Sequence, residues 1–319
     1  MFNQIFFDMN SFKISVIIPL YNKKDSIVNA IKSVLNQSYE VDEILILNDG
    51  STDGSELIIK QHINTQKLKI INQKNQGVSS ARNKGVELAK NNWLAFLDAD
   101  DEWLPKFIET CVNLKINNEN CDFIATAYSL CDKNGLIKNI ILRRLKFYKE
   151  GQLINYFEVA SHSHPPFCSS SVLIKKELLQ KINGFPIRVT SGEDLLTWAK
   201  LATITTIAYS NIPLSIYNFE TSTQSNNQTI RTPDKTDFVG QELNKLLRNS
   251  NDPYLKTYNS HWHKMRASVY LKLGQNKNAF KETLISLKYN FKNFKLYLYL
   301  FMLLLPQRFR IYLFNYFGF

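Results

Sequence analysis

The feature that most constrains this chain is an alternation near its start. Four short apolar runs, at 13–18, 43–47, 68–71 and 93–97, are separated by stretches whose apolar residues recur at helical spacing. The first run (KISVII) is β-rich and is ended by Pro19. The stretch 25–37 puts Ile27, Ala30, Ile31, Val34 and Leu35 on one helical face. The second run stops at Asn48-Asp49-Gly50, and Ser51 or Thr52 can cap a helix over 53–63. Gly77-Val78-Ser79 opens a third helix, with Val78, Ala81, Leu88 and Ala89 expected inward. The order βαβαβαβ, with strands apolar on both faces, predicts an α/β fold with a mostly parallel sheet between helices. Such sheets bind ligands beyond the carboxyl ends of their strands. Polar clusters stand at three of those ends: Tyr21-Asn22, Asp49, and Asp98-Ala99-Asp100-Asp101.

The next hundred residues are less regular. A strand is expected at 123–128, a hairpin turned by Gly135 into 136–145, a strand at 168–174 and a short helix at 177–182. Ser191-Gly192-Glu193-Asp194 precedes an amphipathic helix carrying Leu195, Leu196, Trp198 and Leu201, and 204–209 and 214–217 are expected as two closing strands.

Three acids, Asp98, Asp100 and Asp101, fall within four residues directly after a buried strand. Carboxylates that close repel one another, which suits them to a hard divalent cation such as Mg²⁺ or Mn²⁺ with substrate phosphates. Taken singly, Asp49 is equally a turn residue, Tyr21 a packing residue and Arg82 an exposed helix charge. The argument rests on their convergence. No GxGxxG and no GxxxxGK[ST] occurs, so the two usual glycine-rich phosphate cradles are missing. His162 and His164 form an HxH beside Pro165-Pro166, read as a loop lining an acceptor pocket rather than a metal site.

Four segments in order then carry a resemblance. They are Val16-Ile17-Ile18-Pro19-Leu20-Tyr21-Asn22, Asn48-Asp49-Gly50-Ser51-Thr52-Asp53-Gly54-Ser55, Asn75-Gln76-Gly77-Val78-Ser79-Ser80-Ala81-Arg82-Asn83-Lys84-Gly85, and Phe96-Leu97-Asp98-Ala99-Asp100-Asp101. This series resembles the motifs of family 2 glycosyltransferases with the GT-A fold, over roughly 13–220. The resemblance implies an inverting transferase, hexosyltransferase in type, that uses a nucleotide-sugar, most often a UDP-sugar. It implies that Pro19, Tyr21, Asn22 and Asp49 hold base and ribose, and that Arg82 lies along the nucleotide. It implies that Asp98 and Asp100 match the DXD pair that meets ribose and the diphosphate-bound Mg²⁺ or Mn²⁺, with Ala99 between them and Asp101 beside them. Glu193-Asp194 matches the family's Glu-Asp motif, which makes Asp194 the general base. Asn48 stands where the family often has an acid, and Asn183 and Pro186 flank Gly184-Phe185 where a second glycine and an acid are usual.

The charge is uneven. Of the net +11, residues 235–319 hold +10, from 14 Lys/Arg and 4 Asp/Glu. This divides the chain into an arm (1–12), a GT-A domain (13–234, with a nucleotide half at 13–101 and an acceptor half at 102–234) and a basic helical C-terminal region (235–319). Helices are expected at 235–249, 254–273, 277–290 and as a final pair around Pro306, with Tyr270, Gly274, Ala279 and Leu284 resembling one hairpin of a TPR-type repeat. The run 296–305 (LYLYLFMLLL) is apolar but too short for a span of ~20 residues. Lys288, Lys292 and Lys295 flank it on one side, and Arg308, Arg310 and the aromatic stretch 311–319 on the other. Aromatics among basic residues without acids suit an interfacial helix on anionic lipid. The alternative is a helix buried on the body or on a second copy, a homodimer.

Several classes are set aside. At 44% hydrophobic and 21% charged residues the chain is neither disordered nor collagen-like. Cys111, Cys121, Cys131 and Cys168 form no CxxC, which suits reduced thiols in the cytosol. Met1 to Ser11 shows no secretory signal, and the basic, aromatic tail makes the inner face of the plasma membrane the expected place. No nucleic-acid motif interrupts the basic tail. A nucleotidyltransferase would need a glycine-rich first loop where Leu20-Tyr21-Asn22-Lys23 stands. A non-catalytic sugar-nucleotide scaffold is disfavoured by the intact Glu193-Asp194 pair. The family resemblance then implies a transferase acting in polysaccharide or lipid-linked glycan synthesis, with its specificity expected in loops such as 143–168 and 219–234.

Overall fold

The structure, a computed structural model, describes residues 12–218 and 231–306, together with 309, 310 and 313. The expectations for Met1–Ser11, for most of the loop 219–234 and for most of 311–319 lie outside the described residues.

Four strands form the first half of the sheet, all parallel: β1 (Ile14–Leu20), β2 (Glu43–Asn48), β3 (Leu68–Asn72) and β4 (Trp93–Phe96), in the order β3-β2-β1-β4. Connecting them are α1 (Ile27–Leu35), α2 (Ser55–His62) and α3 (Val78–Leu88). Side chains alternate along each strand, so each strand feeds two cores. Ile17, Leu45, Leu47, Leu94 and Phe96 share one apolar cluster with Ala81 and Val86 of α3. Val16, Ile18, Ile44, Ile46 and Ala95 share the other with Ile27, Ala30, Ile31 and Val34 of α1. Each such side chain, fully withdrawn from water, contributes about 1.5–3 kcal/mol.

Two side chains of α3 turn outward against expectation: Val78 and Leu88 are exposed. The helix lies so close on β1 that a Cβ at Gly85 would sit 2.5 Å from Ile17 Cγ2. This approach rotates Ala81, Arg82, Gly85 and Val86 inward and leaves Val78 and Leu88 to solvent.

The second half of the sheet mixes directions. β5 (Glu102–Trp103) is followed by α4 (Phe107–Asn117) and then β6 (Phe123–Cys131), with β7 (Ile137–Asn139) and β8 (Glu150–Gln152) as short edge strands. Next come α5 (Tyr156–His162), a 3-10 turn at Ser169–Ser171, β9 (Val172–Lys175), α6 (Lys176–Lys181), α7 (Glu193–Ala202) and β10 (Ile207–Asn218). β9 runs antiparallel between β4 and β6, and β10 lies parallel to β6 with β5 antiparallel at its far side.

Several expected elements take a different form. The strand expected at 168–174 begins only at Val172, because the Cys168 N–H donates to Ser171 Oγ (3.0 Å) and that hydroxyl donates back to the Cys168 carbonyl (3.1 Å). Serine side chains here compete with the ladder. The hairpin strand expected over 136–145 pairs only at Ile137–Asn139. The two closing strands are one, β10, whose register shifts on either side of Pro213, a residue with no N–H to give the ladder. Short β5, short β8 and α5 have no counterpart in the sequence reading.

The C-terminal region is helical: α8 (Phe238–Asn249), α9 (Leu255–Lys272), α10 (Asn276–Tyr289) and α11 (Phe294–Met302). α9 and α10 make the expected hairpin around Gly274, with Tyr270 and Ala279 buried and Leu284 exposed. Val239, Leu243, Leu255, Tyr258 and Trp262 belong to the same apolar cluster as the sheet face beneath α3. The far end has its own small core of Ala267, Leu271, Ala279, Leu296, Tyr299 and Met302.

A methyl group at Gly85 would overpack the α3–β1 contact. Gly85→Ala is expected to destabilise the fold by about 1–3 kcal/mol, read as a lower urea midpoint at unchanged slope.

Candidate active site

The carboxyl ends of β1, β2 and β4 lie along one edge of the sheet, and the loops that follow are stitched to one another. The Asn22 N–H donates to Ser51 Oγ (3.0 Å), and the Thr52 N–H donates to Asn22 Oδ1 (2.8 Å). These bonds hold Asn22 at a positive φ of 51°. Pro19 is buried beneath, while Tyr21 is 41% exposed and presents its ring at the edge.

Asp49 is buried, and its carboxylate is engaged by the loop ahead of α3. Oδ1 accepts from Gln73 Nε2 (2.8 Å) and the Gln76 N–H (2.9 Å), and Oδ2 accepts from the Gly77 N–H (2.8 Å). Three of roughly four acceptor positions are therefore used within the chain. Asn48 ties β2 to β3 by donating from Nδ2 to Asn72 Oδ1 (2.7 Å).

The centre of the site is Arg82, carried by α3 and only 2% exposed. Nη2 pairs with Asp98 Oδ1 at 2.7 Å, Nη1 lies 3.5 Å from Glu193 Oε1, and the guanidinium stands 5.3 Å from the Phe185 ring centroid. Burial alone would weaken its hold on the proton. The charges of Asp98, Glu193 and Asp194 outweigh that and raise its pKa further. Among the described residues, Nε and Nη1 have no hydrogen-bond partner. Buried donors left open are costly, and an anionic ligand would satisfy them.

The acids after β4 point three ways. Asp98 turns to Arg82. Asp100 pairs with Lys23 Nζ at 2.6 Å. Asp101 turns inward, accepting from Ser170 Oγ (2.5 Å) and from the Asn218 N–H (3.0 Å). Burial, then the charges of Asp100 and Asp98, push the Asp101 carboxyl well above its usual range. Asp101 thus fastens β10 to β4, while Ala99 is buried in the core beneath. Asp98 and Asp100 remain as hard oxygen donors, each facing a side-chain cation. That donor chemistry fits Mg²⁺ or Mn²⁺.

Sequence reasoning missed Ser170, which is fully buried. Because β9 is antiparallel to β4, the turn before it falls beside the end of β4. There the Asp98 N–H donates to Ser170 Oγ (3.0 Å), and Trp103 Nε1 donates to the Ser170 carbonyl (2.7 Å). The run Ser169-Ser170-Ser171 was the available signal. Lys23, Phe185 and Asn218 were also missed: Phe185 and Asn218 reach the site from distant parts of the chain, and Lys23, though next to Asn22, meets Asp100 seventy-seven positions on.

Glu193 and Asp194 open α7 after Gly192. Asp194 Oδ1 accepts from the Leu195 N–H at 2.7 Å. Burial, then the Asp194 charge, push Glu193 up to about 7 against the opposing pull of Arg82. Burial likewise raises Asp194, again opposed by Arg82. The edge thus gathers a buried cation, the carboxylates of Asp98 and Asp100, and the Glu193–Asp194 pair, both of whose carboxyls are raised by burial.

His162 and His164 do not join this group: His162 Nδ1 meets the Glu158 carbonyl (2.8 Å) and His164 Nδ1 the Ile141 backbone (3.4 Å). Asp237, His263 and Glu282 also cluster, within 4.8 Å of one another, in the C-terminal helices. Arg266 already lies against both carboxylates, Nε 2.9 Å from Glu282 and Nη1 3.6 Å from Asp237, so this knot holds a cation of its own.

Ser170→Ala would leave the Asp98 N–H without its acceptor and Asp101 with one partner fewer. A loss of about 1–3 kcal/mol is expected, read by urea unfolding.

Comparison with known proteins agrees with this architecture. The profile described as "Glycosyl transferase family 2" matches residues 15–182. A Bacillus subtilis (strain 168) glycosyltransferase named for teichuronic acid biosynthesis, TuaG, is 31% identical over 236 residues, covering 73% of this chain and 89% of that protein. An uncharacterized glycosyltransferase of Rickettsia bellii is 31% identical over 191 residues, covering 60% of this chain and only 26% of that protein. Among solved structures, S. aureus TarS 1–349 in complex with UDP-GlcNAc superimposes with a TM-score of 0.67 at 16% identity, covering 87% of this chain and 81% of that one. A mannosyltransferase from Pyrobaculum calidifontis in complex with GDP-Man and Mn²⁺ gives 0.52 at 18% identity, covering 86% and 74%. The fold is the GT-A type, with a helical C-terminal region added.

Proposed function

The chain belongs to glycosyl transferase family 2, and on that premise we propose an inverting transferase that moves a sugar from a nucleotide-sugar, a UDP-sugar, to an acceptor hydroxyl in polysaccharide or lipid-linked glycan synthesis. The observation that carries this is the buried Arg82, bridging Asp98 at the end of β4 to Glu193 at the start of α7, with two donors still unspent.

Tyr21 stacks on the base, with Pro19 beneath and Asn22 beside it. Asp49 shapes the same pocket by holding the loop before α3 and offers its remaining lone pair to the donor. Arg82 turns its free N–H groups to the diphosphate. Asp98 and Asp100 would hold the divalent ion, which when bound would supply positive charge to offset that of the leaving diphosphate. Asp101 holds this edge together from behind. Asp194 takes the proton from the acceptor hydroxyl as its oxygen attacks the anomeric carbon, so the single displacement inverts that centre. Glu193 keeps Arg82 and Asp194 in register.

Asp194→Asn is expected to keep donor binding within about threefold and to lower transfer by about 10²–10⁴-fold. The assay is nucleotide release from UDP-, GDP- and dTDP-sugars with Mn²⁺. Parental turnover in that variant, or no release from any donor by the parent, sinks the proposal. Because the raised Asp194 carboxyl must be ionised to work, kcat/KM should fall on the acid side at a pH above the usual Asp value of about 4, rising as pH rises.

We place the C-terminal region against the inner face of the plasma membrane. Phe291, Phe294, Phe301 and Leu304 are exposed, at 67, 86, 56 and 82%, beside Lys288, Lys292 and Lys295. Among the described residues no helix is long and apolar enough to cross a membrane, so the contact is interfacial. The full chain is expected to float with anionic vesicles, and a chain lacking 283–319 to stay behind. A full chain that never floats refutes the placement.

A further inference from the structure

The stretch 186–192 leads from Phe185 into the Glu193-Asp194 pair, and residues from the C-terminal side of the chain hold it. Thr190 donates its hydroxyl to Asp234 Oδ1 (2.6 Å) and its N–H to Asp234 Oδ2 (3.0 Å), and Arg231 donates to the Thr190 carbonyl (3.4 Å). Gly192 has a φ of 84°, the left-handed turn from which α7 starts. A Cβ there would lie 2.5 Å from Cη2 and 2.6 Å from Cζ3 of Trp262. The indole occupies the space that any other residue at 192 would need, and it is itself only 6% exposed. Its Nε1 donates to Asp237 Oδ1 at 3.0 Å, and the same oxygen accepts from the Gly240 N–H at 3.0 Å, so the ring is anchored to the start of α8. One turn earlier on α9, the Tyr258 hydroxyl donates to the Leu195 carbonyl at 3.3 Å.

These contacts fall on residues 190, 192 and 195 and bracket the acid pair. Resting on the reading of Asp194 as the base, we infer that Trp262 and Tyr258 are positioning residues: α9 of the C-terminal region sets where the Asp194 carboxylate stands relative to Arg82 and Asp98. The physical reason is local. A helix that starts from a glycine in the left-handed region has little side-chain packing of its own at that hinge. The orientation of its first turn then depends on what lies against the glycine. Here that neighbour is a rigid ring on another helix, held at its far edge by Asp237. A misplacement of about 1 Å in a reacting group costs about 10²-fold in rate. The basic C-terminal region is on this view part of the catalytic unit as well as a surface for a partner.

The test uses the full chain with Trp262→Ala, Trp262→Phe and Tyr258→Phe, each checked by thermal unfolding. Nucleotide release is followed against donor concentration and pH. Trp262→Ala should lower kcat by about 10–100-fold while the donor KM moves less than about threefold. Trp262→Phe should recover most of that loss, since it restores a ring against Gly192. Tyr258→Phe, which removes one hydroxyl, should lower kcat several-fold with its unfolding temperature near the parent's. The acid limb of the pH profile should shift in the affected variants, a change that simple loss of folded protein would not produce. A kcat within about twofold of the parent in folded variants, or a loss expressed wholly in KM, overturns the inference. Should Trp262→Ala fail to fold, Tyr258→Phe decides by the same criteria. Asp194→Asn separates the two claims. If it remains active, the reading of the base fails. If it is inactive while the Trp262 and Tyr258 variants keep their kcat, the base stands and the positioning role fails.

Discussion

The buried guanidinium of Arg82 is the interaction on which the site depends. A charge taken out of water costs several kcal/mol unless partners replace the lost hydration. Here Asp98 and Glu193 do so, with Asp194 nearby, and the three acids come from two distant parts of the chain. The pairing works in both directions. Arg82 holds the end of β4 against the start of α7, and its charge opposes the burial that drives Glu193 and Asp194 toward protonation. Phe185 closes the arrangement by lying against both the guanidinium and Trp198.

The antiparallel β9 is the second constraint. In a wholly parallel sheet, the residues before a strand lie at the edge opposite the ligand edge. Reversing one strand brings its leading turn to the ligand edge, and this is how Ser170 reaches Asp98 and Asp101. The same edge receives the end of β10, whose Asn218 N–H binds Asp101. Three adjacent acids therefore divide their duties by direction. Asp98 and Asp100 each face a side-chain cation, Arg82 and Lys23, and Asp101 faces inward as a tie. Adjacent positions with one residue type look equivalent in a sequence, and only the surrounding strands tell them apart.

The C-terminal helices are continuous with this arrangement. Val239, Leu243, Tyr258 and Trp262 complete an apolar cluster that begins on the sheet, so the change in charge near residue 235 is not a change in core. α10 and α11 pack around a smaller core and leave aromatic side chains outward among lysines. One helical region thus meets the sheet and α7 on one side and offers an apolar, basic surface on the other.

Much of the first half of the sheet was legible in the residues. Apolar runs of period two and helical stretches of period 3.6 are local signals, and together they defined β1–β4, α1–α3 and the edge where Tyr21, Asp49 and Asp98 gather. The family resemblance marked Glu193-Asp194, and the structure sets this pair beside Arg82. What could not be read locally was direction and company. Whether β10 is one strand or two and whether Asp101 points out or in are both decided by hydrogen bonds to residues scores of positions away. The same holds for Trp262 against Gly192. Local periodicity depends on the chain's own geometry and is written into each segment. The partner of a buried polar atom depends on which distant segment the sheet brings alongside, and that is settled only when the whole fold closes.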